Sequence, residues 1–284
     1  MAKTRDLKRR IRSIKNTMQL TRAMKMVAAA KLRRAQDRIM DARPYAGYMR
    51  DVLRSLASRA DAEANPLLAE RDGNRGEVIL VSSDRGMCGS FNAGLFRKLQ
   101  GHLHKHDQQD WTLACLGKKG RDYFLRRASV REEWTSHMRA VEFSLAEDIA
   151  EMAMQRFVAG EVEEVWLAYN QFKSAVASEP TIERILPIEK EDLPPEAAGE
   201  DYIYEPSAQV LLDQLLPRHV KILLYRAMLE SIAAEHAARM SAMDAATRNA
   251  GELIDSLTLT MNRLRQASIT TEIIEVVSGA EALG

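Results

Sequence analysis

Both ends of this chain repeat apolar or small residues at alternating steps of three and four, the spacing that lines one face of a long helix. In the first segment the stripe runs through Ile11, Ile14, Met18, Thr21, Lys25, Ala28, Leu32, Ala35, Ile39 and Ala42. In the last it runs through Met240, Met243, Thr247, Ala250, Ile254, Leu257, Met261 and Leu264. Lys25 is the one charged residue in either stripe, and the Ala and Thr positions let a second helix approach closely. Two such stripes in one chain most simply bury each other, as an antiparallel coiled coil. From Ser207 to Ser278 only Gly251 and Pro217 interrupt helix-forming sequence. An unbroken helix of that span reaches roughly 100 Å, several times the diameter of a small domain. A helix pair of that length, part apolar and part basic, calls for another protein around it.

Charge is divided unevenly. Residues 1–39 hold thirteen Lys or Arg against Asp6 and Asp37, a net +11, while the whole chain is +1, so the remainder is −10. That asymmetry predicts an acidic partner for the first helix: nucleic acid, an anionic membrane surface or a carboxylate-rich protein. No run of about twenty apolar residues exists to span a bilayer. The basic start has no apolar signal core, which predicts an intracellular protein. Cys88 and Cys115 lie beside or within apolar strand-like runs and read as buried free thiols.

The middle alternates strand and helix. EVILVS at 77–82 reads as a buried parallel strand, followed by the Gly-rich turn SDRGMCGSFNAG and a helix near 95–103. Residues 111–116 read as a second strand with a helix after 117, and 143–158 as an amphipathic helix. Residues 163–170 and 181–187 read as a strand pair that could form a hairpin. This order predicts a Rossmann-like α/β domain with a mainly parallel sheet. The expected division is a first coiled-coil helix over 1–58, the central domain over 76–190, an acidic Pro-bearing linker over 191–206 and a last coiled-coil helix over 207–284.

The turn after the first strand is where nucleotide phosphates bind in such folds. Here Gly86, Gly89 and Gly94 match neither G-x-G-x-x-G nor G-x-x-x-x-G-K-[ST], so they read as tight strand-to-helix packing. Among His102, His104 and His106 only the first and last share a helix face, and without Cys or carboxylate support all three read as surface residues. Ser82 and Ser83 precede Asp84 but lack a matching His, and no nucleophile stands beside a base at recognisable spacing. These observations predict no active site in the chain. Two rival readings remain open on charge and fold alone. One is a basic coiled coil that follows a nucleic-acid backbone, against which stands the lack of stacking aromatics in the first helix. The other is a nucleotide-dependent α/β enzyme, which lacks its phosphate loop.

Four segments carry a family resemblance: KNTMQLTRAMKMVAAAKLRRAQ at 15–36, SDRGMCGSFN at 83–92, YIYEPSAQVLLDQLLP at 202–217, and ARMSAMDAATRNAGELIDSLTLTMNRLRQASITTEIIEVVSGAEAL at 238–283. They resemble the gamma subunits of F-type ATP synthases, in the bacterial form that lacks the cysteine-bearing regulatory insertion of chloroplasts. The resemblance implies a central rotor stalk whose coiled coil sits in the head of alpha and beta subunits. Its α/β part would then touch the epsilon subunit and the membrane ring of c subunits, one copy per complex, peripheral on the cytoplasmic face of the cell membrane. Turned by proton flow, such a stalk would change nucleotide affinity on each beta subunit in turn; ATP, ADP and Mg would bind to alpha and beta and no cofactor to this chain. It would bind no nucleic acid. Met24 and Lys25 match positions beside an acidic beta-subunit loop, although many family members carry an acidic residue where Lys25 stands. Arg265, Gln266 and Thr270 match a segment that meets a beta-subunit catch loop, and Arg239 a shaft position implicated in coupling. Tyr202 and Glu205 match positions near the ring of c subunits or epsilon. The apolar tail ITTEIIEVVSGAEAL would turn inside a hydrophobic sleeve.

Overall fold

The computed structural model describes residues 2–57, 65–138, 141–188, 205 and 207–281. Two long helices bracket the chain. The first, α1 (Ala2–Ala57), runs on through Pro44 and Gly47, and the last, α5 (Ala208–Glu281), runs on through Pro217. At 1.5 Å per residue their lengths are about 84 Å and 111 Å. The chain divides into two compact units within these helices: residues 1–28 with 239–284, and residues 29–238.

The larger unit holds a five-stranded sheet in the order β3-β2-β1-β4-β5. Its strands are β1 (Arg75–Val81), β2 (Asp110–Leu116), β3 (Ser129–Trp134), β4 (Glu164–Ser174) and β5 (Ala177–Leu186). β1 lies parallel to β2 and β4, β3 is parallel to β2, and β5 returns antiparallel beside β4 as a hairpin. Three helices connect the strands: α2 (Phe91–Lys105), α3 (Lys118–Phe124) and α4 (Phe143–Val158).

Alternation along β1 separates the two layers, because successive side chains leave opposite faces of a strand. Val78 and Leu80 pack with Leu95, Phe96 and Leu99 of α2, Phe124 of α3, and Leu113 and Cys115 of β2. Ile79 and Val81 face the other way, into a larger core shared with Ile149, Ala153 and Phe157 of α4, Leu53 and Leu56 of α1, and Leu216, Val220, Leu224 and Met228 of α5. α5 is therefore part of the α/β core over its first turns.

β3 escapes the sequence pattern. SVREEW is short and charged, and at the sheet edge all six of its residues are exposed or half-exposed, so it carries no apolar run. His102 also departs from expectation. It is half-buried, with its ring 4.7 Å from the Trp166 ring and 5.6 Å from Trp111, while His104 and His106 are exposed as read. Burial, reinforced by the neighbouring His106, holds its pKa below the usual imidazole value. Cys88 and Cys115 are both buried, and burial pushes the Cys115 thiol up to about 12.

Candidate functional site

The two places where function could reside are the crevice at the end of β1 and the paired helices of the smaller unit.

In a doubly wound sheet, ligands enter where the strand order reverses, outside the carboxyl ends of the strands. Here that point lies between β1 and β4, and side chains fill it. Ala234 of α5, fully buried, packs against Cys88 and Phe91, with Phe172 and Ala238 alongside. Asn170, on β4 two residues past its pairing with β1, donates through Nδ2 to the Phe91 carbonyl at 3.2 Å. The serines next to the turn are likewise engaged in structure. Gly120 N–H donates to the buried Ser82 hydroxyl at 2.8 Å, and the Ser83 hydroxyl donates to the Arg85 carbonyl at 2.8 Å while accepting from Asn92 Nδ2 at 2.8 Å. Asp84 gathers three backbone N–H donors: Lys118 and Ser136 at 3.0 Å on Oδ1, and Met138 at 3.2 Å on Oδ2. It thereby caps α3 and ties down the loop after β3, a structural use of the carboxylate. Gly117, in the same cluster, has φ 101°, and a Cβ there would strike the Ser82 carbonyl. Among the described residues no group of three or more His, Cys, Asp or Glu could hold a metal ion.

In the smaller unit the first helix buries its predicted stripe. Ile11, Thr21 and Ala28 are buried and Ile14, Met18 and Lys25 half-buried, while Leu20, Met26 and Val27 on the other face are exposed. On α5, Met243 and Ile254 are buried, with Met240, Thr247, Ala250, Leu257 and Met261 half-buried between and around them. The stripe's last residue, Leu264, is exposed, and the register places it opposite the first turn of α1, about residues 4–5, just before that helix runs out. Thr21 faces Thr247 and Lys25 faces Asp244, so a step toward the start of α1 is a step toward the end of α5. Continued at equal rise, Ala2 falls opposite about residue 266, and the last fifteen or so residues of α5, about 22 Å, have no α1 residue opposite them. From Arg263 to Ala280 every residue is exposed except half-buried Ser268, including Ile269, Ile273, Ile274, Val276 and Val277.

Two polar contacts cross the seam. The Thr21 and Thr247 hydroxyls lie 2.8 Å apart, and each is also within bonding distance of its own helix, at Met18 O (3.0 Å) and Met243 O (2.7 Å). Two hydroxyl hydrogens cannot serve three contacts, so one threonine bonds its own turn and the other bonds across. One turn along, Lys25 Nζ donates to Asp244 Oδ1 at 2.5 Å, and exposed Arg248 reaches Asp244 Oδ2 at 3.1 Å. The bond from Lys25 holds the Asp244 carboxyl below its usual pKa, with the Arg248 charge helping. The charged exception in the stripe is therefore matched by a carboxylate from the far end of the chain, which sequence spacing alone did not reveal. Lys25 keeps two N–H donors for other partners.

The other singled-out positions are spread along the same helices. Met24 is half-buried beside Lys25, and Arg239 is half-buried at the first residue of the smaller unit's α5 segment. Arg265 and Gln266 are exposed where α1 runs out, and exposed Thr270 lies beyond it, its hydroxyl donating to the Gln266 carbonyl at 2.9 Å. Glu205 is exposed at a bend, and Tyr202, like most of the 191–206 linker, lies outside the described residues. The basic residues Lys8, Arg10, Arg12, Lys15, Arg22, Lys31, Arg33 and Arg34 are all exposed on α1. None of the described helices is long and apolar enough to cross a membrane.

The larger unit fills its ligand crevice with its own side chains, and the smaller unit is a helix pair with an exposed apolar end, features suited to contact with other chains. Known proteins agree. Residues 3–283 match a family described as ATP synthase. ATP synthase gamma chains from Anaeromyxobacter sp. strain Fw109-5 and Chlorobaculum parvum are 50% and 47% identical, each alignment covering all of this chain and 100% and 99% of the relative. The chain belongs to the ATP synthase gamma chain family. Its fold is shared with chains in two structures of the Euglena gracilis mitochondrial ATP synthase. One, from a structure containing the c-ring, has a TM-score of 0.69 at 19% identity, covering 99% of this chain and 95% of that one. The other, from the rotor, has a TM-score of 0.67 at 18% identity, covering 94% and 99%.

Proposed function

We infer that this chain is the central rotor stalk of a bacterial F-type ATP synthase, a non-catalytic subunit that couples rotation of a membrane c-ring to conformational change at beta-subunit catalytic sites. The observation that carries the reading is the smaller unit: two helices packed along one seam, with an apolar single-helix end. Two helices zipped together resist bending and twisting better than one, which torque requires. An apolar end with few directional bonds suits a bearing that must turn in a hydrophobic sleeve. Each beta subunit meets a different face of so asymmetric a shaft, and differential contact shifts the affinities of its site.

The partners in this reading are the alpha and beta subunits around the shaft and epsilon and the c-ring at its foot. The stalk is present in one copy, peripheral on the cytoplasmic face of the membrane, and the coupling ion is H⁺. ATP, ADP and Mg bind to alpha and beta, and the filled crevice in this chain supports the absence of a nucleotide here. Met24 and Lys25 would meet an acidic beta-subunit loop, with Lys25 using the donors that Asp244 leaves free. Arg239 would act in coupling. Arg265, Gln266 and Thr270 would meet the catch loop. Because Thr270 gives its hydrogen to its own helix, its hydroxyl would accept from the partner rather than donate. Tyr202 and Glu205 would meet the c-ring or epsilon.

Reconstitution tests this. Alpha and beta subunits are mixed with and without the chain, and with a version ending before Arg265. Assembly at one copy per hexamer with stimulated steady ATP hydrolysis is expected. A chain that leaves hydrolysis unchanged but shifts nucleic acid in a salt-dependent manner would be a basic coiled-coil binder instead.

A further inference from the structure

A shaft transmits torque only if it cannot turn about its own axis in its seat. This inference rests on the rotor reading and concerns where that rotation is resisted. Within the larger unit, α5 buries Leu212, Leu216, Val220, Leu224, Ala227 and Met228. Apolar burial is non-directional and roughly proportional to area, so it holds a helix in place more strongly than it fixes one angle about its axis. Directional bonds fix the angle.

Asp213 accepts from Asn65 Nδ2 at 2.7 Å and Ser231 Oγ donates to the Val81 carbonyl at 3.5 Å, and between these two points a pair of cations holds the helix. Lys221 Nζ forks between two carboxylates of α4, Glu147 Oε1 at 2.7 Å and Glu151 Oε1 at 2.6 Å. Glu147 and Glu151 are one turn apart, so they present their oxygens to the same side of α4. Arg226 Nη2 donates to Glu183 Oε1 of β5 at 3.3 Å, and its Nε lies 3.8 Å from Glu230 Oε1 on α5 itself. Burial by itself would lower the Lys221 pKa, but the bonds to Glu147 and Glu151 outweigh it and the pKa is raised, so the ammonium stays charged. Five residues of helix turn through about 500°, which places Arg226 about 140° around the axis from Lys221. The two cations thus hold different sides of α5, one against α4 and one against the hairpin. Side-chain heads sit about 6 Å from a helix axis, so a 30° rotation would carry each about 3 Å and part a 2.7 Å bond.

We propose that Lys221 and Arg226 are positioning residues that fix the rotational angle of α5 in the α/β body and so set how much torque the stalk transmits under load. Neither touches a reacting group, and their effect runs through the geometry of the shaft.

The test uses the assembled complex in sealed membrane vesicles, comparing wild type, Lys221→Met, Arg226→Met, the double variant, Lys221→Arg and a core control, Ile149→Val. ATP hydrolysis without a gradient, proton pumping against an imposed pH gradient, and melting temperature are measured. The double variant is expected to hydrolyse ATP within about twofold of wild type while pumping per ATP against the gradient falls severalfold. Lys221→Arg retains a cationic donor and should recover most of the pumping. The core control should lower the melting temperature without changing the pumping ratio. Equal pumping per ATP in double variant and wild type overturns the proposal, as does an equal loss in the core control. Should the double variant not assemble, the single variants carry the same expectation in smaller measure, and unchanged pumping in both overturns it. A wild-type chain that restores no pumping at all refutes the rotor reading itself.

Discussion

Arg156→Met is expected to destabilise the larger unit by an amount that depends on pH in a calculable way. Glu77 enters β1 pointing toward α4, where only 2% of it remains exposed, and Arg156, 8% exposed, donates to its Oε1 from Nη1. Arg156 Nε also reaches Glu161 Oε2 at 3.2 Å, while Glu77 Oε2 and Arg156 Nη2 have no hydrogen-bond partner among the described residues. Burial raises the Glu77 pKa and the Arg156 charge opposes the rise. Without the guanidinium, the cheapest escape for the carboxylate is to take up a proton. From an ordinary value of 4.5 that costs about 3.4 kcal/mol at pH 7, at 1.36 kcal/mol per pH unit, but only about 0.7 kcal/mol at pH 5. A group whose folded pKa is raised by burial weighs against folding above its unfolded pKa, and the burden lifts as pH falls toward it. Melting followed by circular dichroism should therefore show a loss of roughly 7–14 °C at pH 7, from 2–4 °C per kcal/mol for a unit of this size, shrinking to a few degrees at pH 5. The double variant Glu77→Leu/Arg156→Met removes both charges together with their unpaired atoms and should lie near wild type or above it. A single-variant loss of less than about 1 kcal/mol at pH 7, or one equal at both pH values, would refute the reasoning.

Three further outcomes follow from the same structure. Thr21→Val should cost about 1 kcal/mol by removing the bond across the seam, the Thr247 hydroxyl keeping its bond to the Met243 carbonyl, and Thr21→Val/Thr247→Val should cost less than the sum of the two single variants, as a thermal double-mutant cycle would show. Arg75 bonds Glu163 through side chain and backbone and holds its pKa down, as Lys25 does for Asp244. Depressed carboxylates stabilise the fold above their unfolded values and lose that contribution as pH falls through the folded ones, so acid unfolding should begin below about pH 4.5, and Arg75→Met should flatten the slope there. In the folded chain neither Cys88 nor Cys115 should react with a thiol reagent at pH 8, and both should react in denaturant, by absorbance of the released chromophore.

The stripes at the two ends were legible because burial repeats with the helix period, and residues 143–158 were legible as a helix for the same reason. The four apolar strands were legible as runs of Val, Ile, Leu and aromatic residues. β3 was not, since all of its residues are exposed or half-exposed, whereas β5 at the other edge still ends in buried Ile185 and Leu186. Lys25 looked out of place because its partner, Asp244, lies 219 residues away, and no local pattern pairs them. The missing phosphate loop could be read from glycine spacing. What fills the crevice instead, Ala234 of α5, could not, because alanine in a long helix carries no mark of what it will touch. His102 was read as a surface residue from its neighbours in sequence, whereas Trp111 and Trp166 come to it from two different strands. The anchors at Lys221 and Arg226 likewise depend on which carboxylates the topology brings beside α5.

The most direct test of the rotor account is to watch the chain turn. With its own two cysteines buried, a single cysteine placed at exposed Lys105 can carry a bead while the alpha and beta subunits are fixed to a surface. The account predicts unidirectional rotation driven by ATP, with three equally spaced dwells per turn. A complex that hydrolyses ATP at full rate while the bead shows only undirected Brownian motion would contradict it.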